Sequence, residues 1–297
     1  MTKGLFVHNA FLNSHKFTEF NTFVLDTAKD CGIELRAKTN SELLLCMERG
    51  HNRILGLDFE PDFVLYWDKD IRLAQGLEMM GYRLFNTSKA IETCDDKSLT
   101  HLVLSQSGIP MPRTISCPKT FENIGYTQRE FMQTVLDELG LPFVAKECFG
   151  SFGKQVYLIH SMEEFDQLLE RSDYKPLLFQ EYIKTSHGRD IRIHVVGGAV
   201  EASMCRFNTS GDFRANVTAG GQMRPYTPTR AEADLAVRAC SIIGLDFAGV
   251  DLLYGDHDEP ILCEVNSNAH LVNIYDCANI NIGFPIFEHI KRTTGHY

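Results

Sequence analysis

Short apolar segments alternate with helical patterns over about the first ninety residues, and this alternation constrains the fold more than any other feature. Helical periodicity covers residues 17–31 and about 72–80, and each pattern is followed by a glycine. Strands that alternate with helices are typical of βαβ units on a parallel sheet. No GxGxxG follows the first strand, which argues against a dinucleotide site there. The predicted strands are 5–9, 33–37, 63–67 and 82–86.

Composition and charge limit the class of protein. The chain has 297 residues, of which 44% are hydrophobic and 23% charged, and these values exclude a disordered chain, a collagen-like repeat and a disulfide mini-scaffold. Asp and Glu number 39 against 29 Lys and Arg, which gives a net charge of −10. This balance argues against general nucleic-acid binding, because such binding depends on cations that neutralise phosphates. A small anionic ligand needs only a few placed cations.

Cysteine and histidine spacing gives no zinc site and favours a reducing compartment. The nine cysteines contain no CxxC pair, and the eleven histidines contain no HExxH pair. An odd number of cysteines in a chain of this length is typical of proteins that keep their thiols reduced. The first residues lack a signal-peptide pattern, and no apolar run approaches the ~20 residues of a membrane span. We therefore expect a cytoplasmic protein that does not bind a membrane.

A second region is expected to begin near residue 95, where the composition shifts. A helix is predicted to open at 95–97 and to run to about Ser107, and the prolines that follow favour an extended turn. We therefore divide the chain into domains 1–95 and 96–297, and the second domain into subdomains 96–180 and 181–297. The elements predicted later in the chain are strands at 143–146, 156–159, 177–180, 190–196, 199–207, 248–254 and 260–265, and helices at 162–170 and 230–243.

A lysine and a glycine loop form the first candidate site. Lys146 ends a predicted strand, and the loop 150–154 contains Gly150, Gly153 and Lys154. Two glycines allow backbone N–H groups to approach phosphate oxygens, and the lysines supply positive charge. The loop is not a P-loop, because GxxxxGK[ST] is absent. The same pattern is also typical of a β-hairpin turn with surface lysines.

Two acids and an asparagine on neighbouring strands form the second candidate site. Glu264 and Asn266 are two residues apart on a predicted strand, so their side chains project to the same face. If residues 249–266 pair as a hairpin, Asp251 reaches that face as well. Oxygen ligands of this kind suit Mg²⁺, which shares its shell with water and substrate phosphates. The alternative interpretation is a salt-bridged hairpin at a sheet edge.

Alternating polar residues form the third candidate site. Asp190, Arg192 and His194 alternate with apolar residues, and a hairpin through 197–198 would return Arg206 to the same face. Two guanidinium groups near carboxylates suit bidentate binding of phosphate or carboxylate oxygens. The alternative is a solvated polar face of an antiparallel sheet. A further loop at 213–221 contains Asn216 and two glycines, and by itself it indicates only a turn.

These sites occur together in an order that resembles the ATP-grasp superfamily of carboxylate–amine ligases. Residues 188–198, 211–221 and 249–266, with Arg206, are most similar to the RimK-type ligases, which are alpha-L-glutamate ligase-like, and less closely to bacterial glutathione synthetases. The resemblance covers about residues 95–290. It implies an α/β (α+β) ATP-grasp fold, in which 1–95 is a parallel-sheet pre-ATP-grasp domain, 96–180 a lid-like central subdomain and 181–297 a C-terminal subdomain.

The resemblance also implies a set of residues that bind the nucleotide. Lys97 and Lys146 match the lysines on the phosphates, the strand end at 180–183 matches the hinge that meets adenine, and Asp190 matches a residue near the ribose. Asn216 belongs to a loop close to the acyl phosphate. The implied set is Lys97, Lys146, Gly150, Ser151, Gly153, Gln180, Glu181, Tyr182, Ile183, Asp190 and Asn216.

The resemblance further implies the catalytic and metal-binding residues. Arg192 and Arg206 match arginines that hold the transferring phosphate and the tetrahedral intermediate. Asp251, Glu264 and Asn266 match the ligands of two Mg²⁺ ions, with Mn²⁺ as an alternative metal. ATP and Mg²⁺ are therefore the expected cofactors. A substrate carboxylate would attack the γ-phosphate, and an amine would then displace phosphate from the resulting acyl phosphate.

The expected product is an amide between a carboxylate, from a small molecule or a peptide, and the amine of an amino acid, with glutamate as the first choice. One alternative is a peptide- or natural-product-tailoring ligase that uses another amine, and another is a nucleotide-binding module without turnover. The family also allows a homo-oligomer. Because the mechanism needs no nucleophilic side chain, we expect Cys148, Cys205 and Cys263 to be packing residues.

One departure from the family pattern lies in the phosphate loop, where Gln155 replaces the third glycine and Lys154 is added. This departure leaves the contacts with phosphate open. The chain after Asn266 is polar and carries no rule for substrate choice. His270 or Asn268 would either contact the acceptor or lie at the surface.

Overall fold

A four-stranded parallel sheet forms the N-terminal part of the protein. The computed structural model describes residues 2–150, 153, 155–172, 174–216 and 220–295. The sheet has the order β2-β1-β5-β6, and all its pairs are parallel, so the predicted βαβ units are confirmed. The elements of this part are β1 (Lys3–His8), α1 (His15–Asp30), β2 (Glu34–Thr39), β3 (Leu44–Glu48), β4 (His51–Leu55), β5 (Phe63–Trp67), α2 (Ile71–Met79), β6 (Leu84–Phe85) and α3 (Ser88–Asp95).

The N-terminal elements follow from their apolar patterns. Helix α1 buries Phe20, Val24, Thr27 and Ala28, which recur at helical spacing along one face. Its chain reverses at Gly32, whose φ of 71° lies in the left-handed region that favours glycine. The fourth predicted strand is shorter than expected. The β3–β4 hairpin and α3 were not predicted, since neither has a clean periodicity.

A second, antiparallel sheet has the order β7-β10-β8-β9. Phe143, Phe165 and Phe179 fill its core with ring centroids 4.8–5.9 Å apart at steep angles, the geometry that aromatic rings prefer. The helix predicted near residue 97 begins at Lys97, because Asp96 accepts from the first-turn amides. The elements are α4 (Lys97–Ser105), β7 (Thr114–Ser116), α5 (Phe131–Leu139), β8 (Phe143–Glu147), β9 (Val156–Ile159), α6 (Met162–Arg171) and β10 (Leu177–Glu181).

A third sheet is antiparallel and has the order β13-β12-β11-β14-β15. The predicted hairpin through Gly197 and Gly198 is confirmed, and both glycines have positive φ, as a tight two-residue turn requires. Helix α7 has the predicted bounds because Thr229 and Glu232 form a capping box at its start. The elements are η1 (Lys184–Ser186, a 3₁₀ turn), β11 (Arg189–Val196), β12 (Ala199–Phe207), β13 (Gln222–Pro225), α7 (Arg230–Ile243), β14 (Phe247–Tyr254) and β15 (Pro260–Asn266).

The chain after Asn266 is not a polar tail. It forms α8 (Leu271–Ala278) and α9 (Gly283–Thr294), and Ile274 and Ile290 are completely buried. Both helices share one hydrophobic cluster with α1 and the first sheet. Sequence inspection missed them because polar residues between the apolar positions mask the helical spacing. Their packing joins the two ends of the chain in a common core.

The side chain of Asn86 connects the first sheet to the third by hydrogen bonds. Its side chain is fully buried and donates to the carbonyl oxygens of Phe247 (2.9 Å) and Ser267 (3.1 Å). Its Oδ1 accepts from the backbone N–H groups of Asp246 (2.7 Å) and Phe247 (3.2 Å). Buried polar groups that are fully paired in this way hold two elements in one relative position.

Among the described residues, no helix is long and apolar enough to cross a bilayer.

Candidate active site

A cavity of about 550 Å³ lies where the three sheets meet. The carboxyl ends of β1 and β5 reach it with His8, Asn9, Trp67 and Asp68, as expected for ligand sites in parallel α/β sheets. The second and third sheets line the rest of it. Every described residue of the predicted nucleotide, catalytic and metal sets lines this one cavity. Ser151, from the same sets, lies outside the described residues, as do Phe152 and Lys154.

Four charged side chains at the middle of the cavity form what we term the central array, made of Asp190, Arg192, Arg206 and Asp251. Strand pairing places Asp190 opposite Arg206, and Arg192 opposite Asp251. Arg192 donates to both oxygens of Asp251 at 2.6 Å, and Arg206 donates to both oxygens of Asp190 at 2.7 Å. Arg206 also lies 3.0 Å from Asp251 Oδ2. The array is therefore one continuous chain of ion pairs, and two of these pairs are two-pronged.

Burial and charge act in opposite directions within the central array. Burial raises the pKa of Asp251, but the charges and hydrogen bonds of Arg192 and Arg206 outweigh it and hold that pKa at about 2. Burial raises the pKa of Asp190, an effect that Arg206 offsets only in part. Burial alone would lower the pKa of Arg206, and the two aspartates raise it instead. A guanidinium group is charged at any ordinary pH, and the two aspartates fix both of these groups in the cavity wall.

Two lysines flank the central array. Lys97 Nζ donates to Gly150 O at 2.9 Å and lies 3.6 Å from Glu264 Oε1. Lys146 Nζ lies 3.8 Å from Cys263 Sγ. Burial raises the pKa of Cys263, so this thiol stays protonated, while Cys148 and Cys205 are buried as expected. Both lysines line the cavity and add positive charge to its wall, which favours an anionic ligand.

The three predicted metal ligands lie side by side. Asp251 pairs with Glu264 across β14 and β15, and Gly249 pairs with Asn266 in the same register. Asn266 Nδ2 donates to Gly249 O at 3.4 Å, which leaves its carbonyl oxygen for another partner. In the part of the chain that the structure describes, no three His, Cys, Asp or Glu side chains group closely enough to hold a metal. The oxygen donors fit Mg²⁺ only if nucleotide phosphates and water complete its shell.

The glycine loop packs against the loop at 213–216. Arg214 donates to Gly153 O at 2.9 Å, and a Cβ at Gly153 would lie 2.9 Å from Asn216 Oδ1. Gly150 is covered by the side chain of Gln155, the residue that departs from the family pattern. The two loops therefore approach each other over the cavity, and residues 217–219 lie outside the described part of the chain.

The end of β10 lines another part of the cavity. Gln180 is buried and donates to Thr114 Oγ1 at 2.9 Å, and its Nε2 lies 3.0 Å from His101 Nε2. Burial lowers the pKa of His101 to about 4, with a smaller contribution from the charge of Lys146, so this ring is neutral. Glu181, Tyr182 and Ile183 follow along the cavity wall.

The end of the cavity beside the first sheet is formed by residues outside the predicted nucleotide, catalytic and metal sets. Two of them, Asn268 and His270, were expected either to contact the acceptor or to lie at the surface, and both line the cavity. We term this end the N-terminal wall, and it consists of Asn9, Lys16, Asp68, Asn268 and His270. The sequence could have indicated Asn9 and Asp68 as site residues, because each comes directly after a strand of the parallel sheet, where ligands bind in α/β proteins. Nothing in the pattern of α1 distinguishes Lys16. His270 and Asn268 reach the cavity because α8 starts beside it.

The RimK-like ATP-grasp domain family matches residues 94–290. The chain belongs to this family. The predicted family, the ATP-grasp fold and the enzyme class of carboxylate–amine ligase are thereby confirmed. Members of the family use ATP and Mg²⁺, and structural neighbours hold ADP and Mg²⁺.

Curated relatives of the family cover most of the chain. N-acetylaspartylglutamate synthase A of Homo sapiens is 36% identical over 277 residues, which are 86% of this chain and 68% of that protein. Beta-citrylglutamate synthase B of Homo sapiens is 32% identical, over 88% of this chain and 70% of that protein. A probable alpha-L-glutamate ligase of Maridesulfovibrio salexigens is 34% identical, over 72% of this chain and 69% of that protein.

Solved structures of the superfamily share the fold along nearly the whole chain. A RimK domain ATP-grasp protein from Sphaerobacter thermophilus superposes with a TM-score of 0.72 at 17% identity, over 97% of this chain and 99% of the other. The ATP-grasp ligase PsnB, complexed with a precursor variant, Mg and ADP, gives a TM-score of 0.70 at 16% identity, over 99% of each chain. At such identities the likeness shows the fold alone.

Proposed function

We propose that this ATP-grasp ligase joins a small carboxylic acid to the amine of glutamate through an acyl phosphate. The observation that carries the proposal is the central array, which fixes two arginines in the wall of a cavity that two lysines and the N-terminal wall also line. Support for glutamate comes from the relatives, since the names of all three contain it. Those names also contain N-acetylaspartyl and citryl groups, which makes small acids the first donors to test.

The residues of the chain would act by position and charge. Lys97 and Lys146 would bind the phosphates, and Gln180 to Ile183 would line the adenine end. Arg192 and Arg206 would donate to the oxygens that gain charge when the carboxylate is phosphorylated and when the amine attacks. Because their guanidinium groups are already held by Asp251 and Asp190, little reorganisation is needed during the reaction.

Asp251, Glu264 and Asn266 would hold Mg²⁺ together with the nucleotide, and Mn²⁺ would fit the same oxygen donors. When bound, the metal would neutralise phosphate charge. Asp190 would lie near the ribose and Asn216, with Gly150, Ser151 and Gly153, near the phosphates. We also propose that the chain divides into two domains at residue 95 and that the protein forms a homo-oligomer. A cytoplasmic location is supported by the free state of all nine cysteines.

Trapping with hydroxylamine tests this function before the acceptor is known. Hydroxylamine converts an acyl phosphate into a hydroxamate, so the donor can be identified from a panel of acids that includes N-acetylaspartate, citrate and a peptide with a free carboxyl end. We expect ADP and hydroxamate in equal amounts, and only with Mg-ATP. Glutamate in place of hydroxylamine should then give the amide.

A matched pair of variants shows whether the trapped product depends on the site. Glu264→Gln should lower turnover about 100-fold, because it removes a carboxylate beside Lys97. Glu259→Gln removes the same charge from the exposed β14–β15 turn and should leave turnover unchanged. Equal loss in both variants, or no hydroxamate from any acid or peptide, would contradict the proposal.

The alternatives have weaker support. A peptide-tailoring ligase is suggested by PsnB, but that likeness concerns the fold. A binding module without turnover would have no need for the two arginines of the central array. Comparing glutamate with a panel of other amines as the acceptor distinguishes the proposed function from the tailoring ligase. Formation of ADP during turnover distinguishes it from the binding module.

A further inference from the structure

A short hydrogen-bond network behind the end of β10 has only one possible direction. Thr114 Oγ1 donates its single hydrogen to Pro112 O at 2.8 Å. The same hydroxyl oxygen lies 2.9 Å from Gln180 Nε2, and because its hydrogen is used it must accept there. The nitrogen of the Gln180 carboxamide, and not its oxygen, therefore faces Thr114.

His101 takes the second hydrogen of the same amide nitrogen. The two side chains meet nitrogen to nitrogen, with Gln180 Nε2 3.0 Å from His101 Nε2. An amide nitrogen only donates, so His101 Nε2 accepts and the neutral ring carries its proton on Nδ1. Burial lowers the pKa of His101 to about 4 and the charge of Lys146 lowers it further. A hydrogen bond from the ring to the Cys263 backbone opposes both effects, although no described acceptor reaches Nδ1 at full hydrogen-bond geometry.

The network leaves one polar atom of the Gln180 side chain over, the carbonyl oxygen Oε1. Both hydrogens of Nε2 are used, and no described residue donates to Oε1. Gln180 is only 2% exposed, yet it lines the cavity beside Val144, its partner on β8. A buried carbonyl oxygen without a donor is costly, so a ligand that brings a donor to this point is favoured over one that brings an acceptor.

We propose that His101 is a positioning residue that makes the site selective for adenine, because it fixes Gln180 with Oε1 towards the 6-position of the purine. The 6-amino group of adenine donates to that oxygen, whereas the 6-oxo group of hypoxanthine or guanine places a second acceptor against it. His101 itself does not touch the nucleotide. The inference rests on the proposed function in one respect, since it takes the end of β10 as the adenine end of the cavity.

Equilibrium binding of Mg-nucleotides to the whole protein tests the inference without turnover. The probes are ATP, purine riboside triphosphate and ITP. Purine riboside triphosphate lacks the 6-amino group and keeps the N1 acceptor, and ITP carries a 6-oxo group. For the wild type, the dissociation constant should rise about 10-fold from ATP to the purine analogue and about 100-fold from ATP to ITP, as expected for a hydrogen bond that is first lost and then opposed.

His101→Leu removes one acceptor of Gln180 Nε2, so the carboxamide can turn and present either of its atoms to the base. This variant should bind ATP about 10-fold more weakly and ITP as the wild type does, so its preference for ATP falls to about 10-fold. His101→Gln should restore the preference, because its carboxamide oxygen can accept in place of Nε2. Thr114→Val removes the other acceptor and should shift the preference in the same direction as His101→Leu.

Leu104→Ala is the matched control. Leu104 is completely buried on the same helix α4, outside the cavity, so its variant should lower the melting temperature and keep the wild-type preference. If Leu104→Ala loses the preference as His101→Leu does, the effect is only structural and the inference is wrong. The inference is also wrong if the preference is lost in Gln180→Leu but kept in His101→Leu and Thr114→Val.

Two outcomes separate this inference from the proposed function. A preference for ATP that depends on His101, in a protein that forms no hydroxamate from any acid, would overturn the proposed reaction and keep the inference. Hydroxamate formation that proceeds equally well with ATP and ITP would overturn the inference and keep the proposed reaction.

Discussion

The central array and the N-terminal wall differ in how completely their buried polar groups are paired. In the central array, every carboxylate oxygen of Asp190 and Asp251 accepts from a guanidinium group. In the N-terminal wall, both nitrogens of His270 and Oδ1 of Asn268 have no partner at full hydrogen-bond geometry among the described residues. Paired buried charges keep a site in shape without substrate, whereas unpaired buried groups gain their partners from it.

The largest effect should come from opening the central array. Arg206→Met leaves Asp190 buried without its partner, so we expect at least a ~1,000-fold loss of turnover and a free energy of unfolding about 3–5 kcal/mol lower. ADP release and urea denaturation measure the two effects. Arg230→Met is the control, because that side chain is 95% exposed, and it should change neither quantity. A stable, active Arg206→Met would show that the array is not the centre of the site.

A smaller effect should come from removing the hydrogen bonds by which Asn86 connects the first sheet to the third. Asn86→Ala removes four hydrogen bonds between the first and third sheets and leaves buried backbone groups unpaired. We expect the free energy of unfolding to fall by about 3 kcal/mol, measured by urea denaturation. Asn52→Ala, on β4, removes a side chain that donates to Met79 Sδ and should cost well under 1 kcal/mol. Similar losses in both variants would contradict the role of Asn86.

The neutral buried histidines should make stability depend on pH. Burial lowers the pKa of His194 to about 3, with a further effect of Arg192, against about 6.5 when unfolded. Between these values the unfolded chain binds the extra proton, so the free energy of unfolding falls as the pH is lowered from 6.5. His194→Gln should remove up to about 1.4 kcal/mol per pH unit of this slope.

Urea titrations between pH 4.5 and 7 measure that slope. His257→Gln is the control, because His257 is exposed in the β14–β15 turn, and the slope should stay as in the wild type. A slope that is unchanged in His194→Gln would show that the ring is protonated or hydrated in the folded protein.

The smallest effect should come from a change in the glycine loop, which should alter the KM for ATP and leave the KM of the donor unchanged. Gly153→Ala places a Cβ 2.9 Å from Asn216 Oδ1 at a φ of 70°, and we expect the KM for ATP to rise about 10-fold with the KM of the donor unchanged. Gly32→Ala has nearly the same φ, 71°, with no atom within 4 Å, so it is the control for the backbone strain alone. An equal rise in the KM for ATP in both variants would contradict contact between the two loops.

Much of the central array could be predicted from the sequence. Alternation in β11 puts Asp190 and Arg192 on one face, and the Gly197-Gly198 turn brings Arg206 back beside them. These relations depend on neighbours in the chain or on one hairpin. Their chemical roles stay predictions, and membership of the family supports them.

The N-terminal wall could not be predicted in the same way. Lys16 lies on α1 and His270 precedes α8, and only the cluster shared by the two helices brings them to one cavity. The sequence alone determined most of the strands, the β11–β12 and β14–β15 hairpins and the face on which Asp190, Arg192 and Arg206 lie, because these follow from local periodicity and turn chemistry. Only the tertiary structure decided which faces meet, since packing between residues two hundred or more positions apart leaves no periodic signal in the chain.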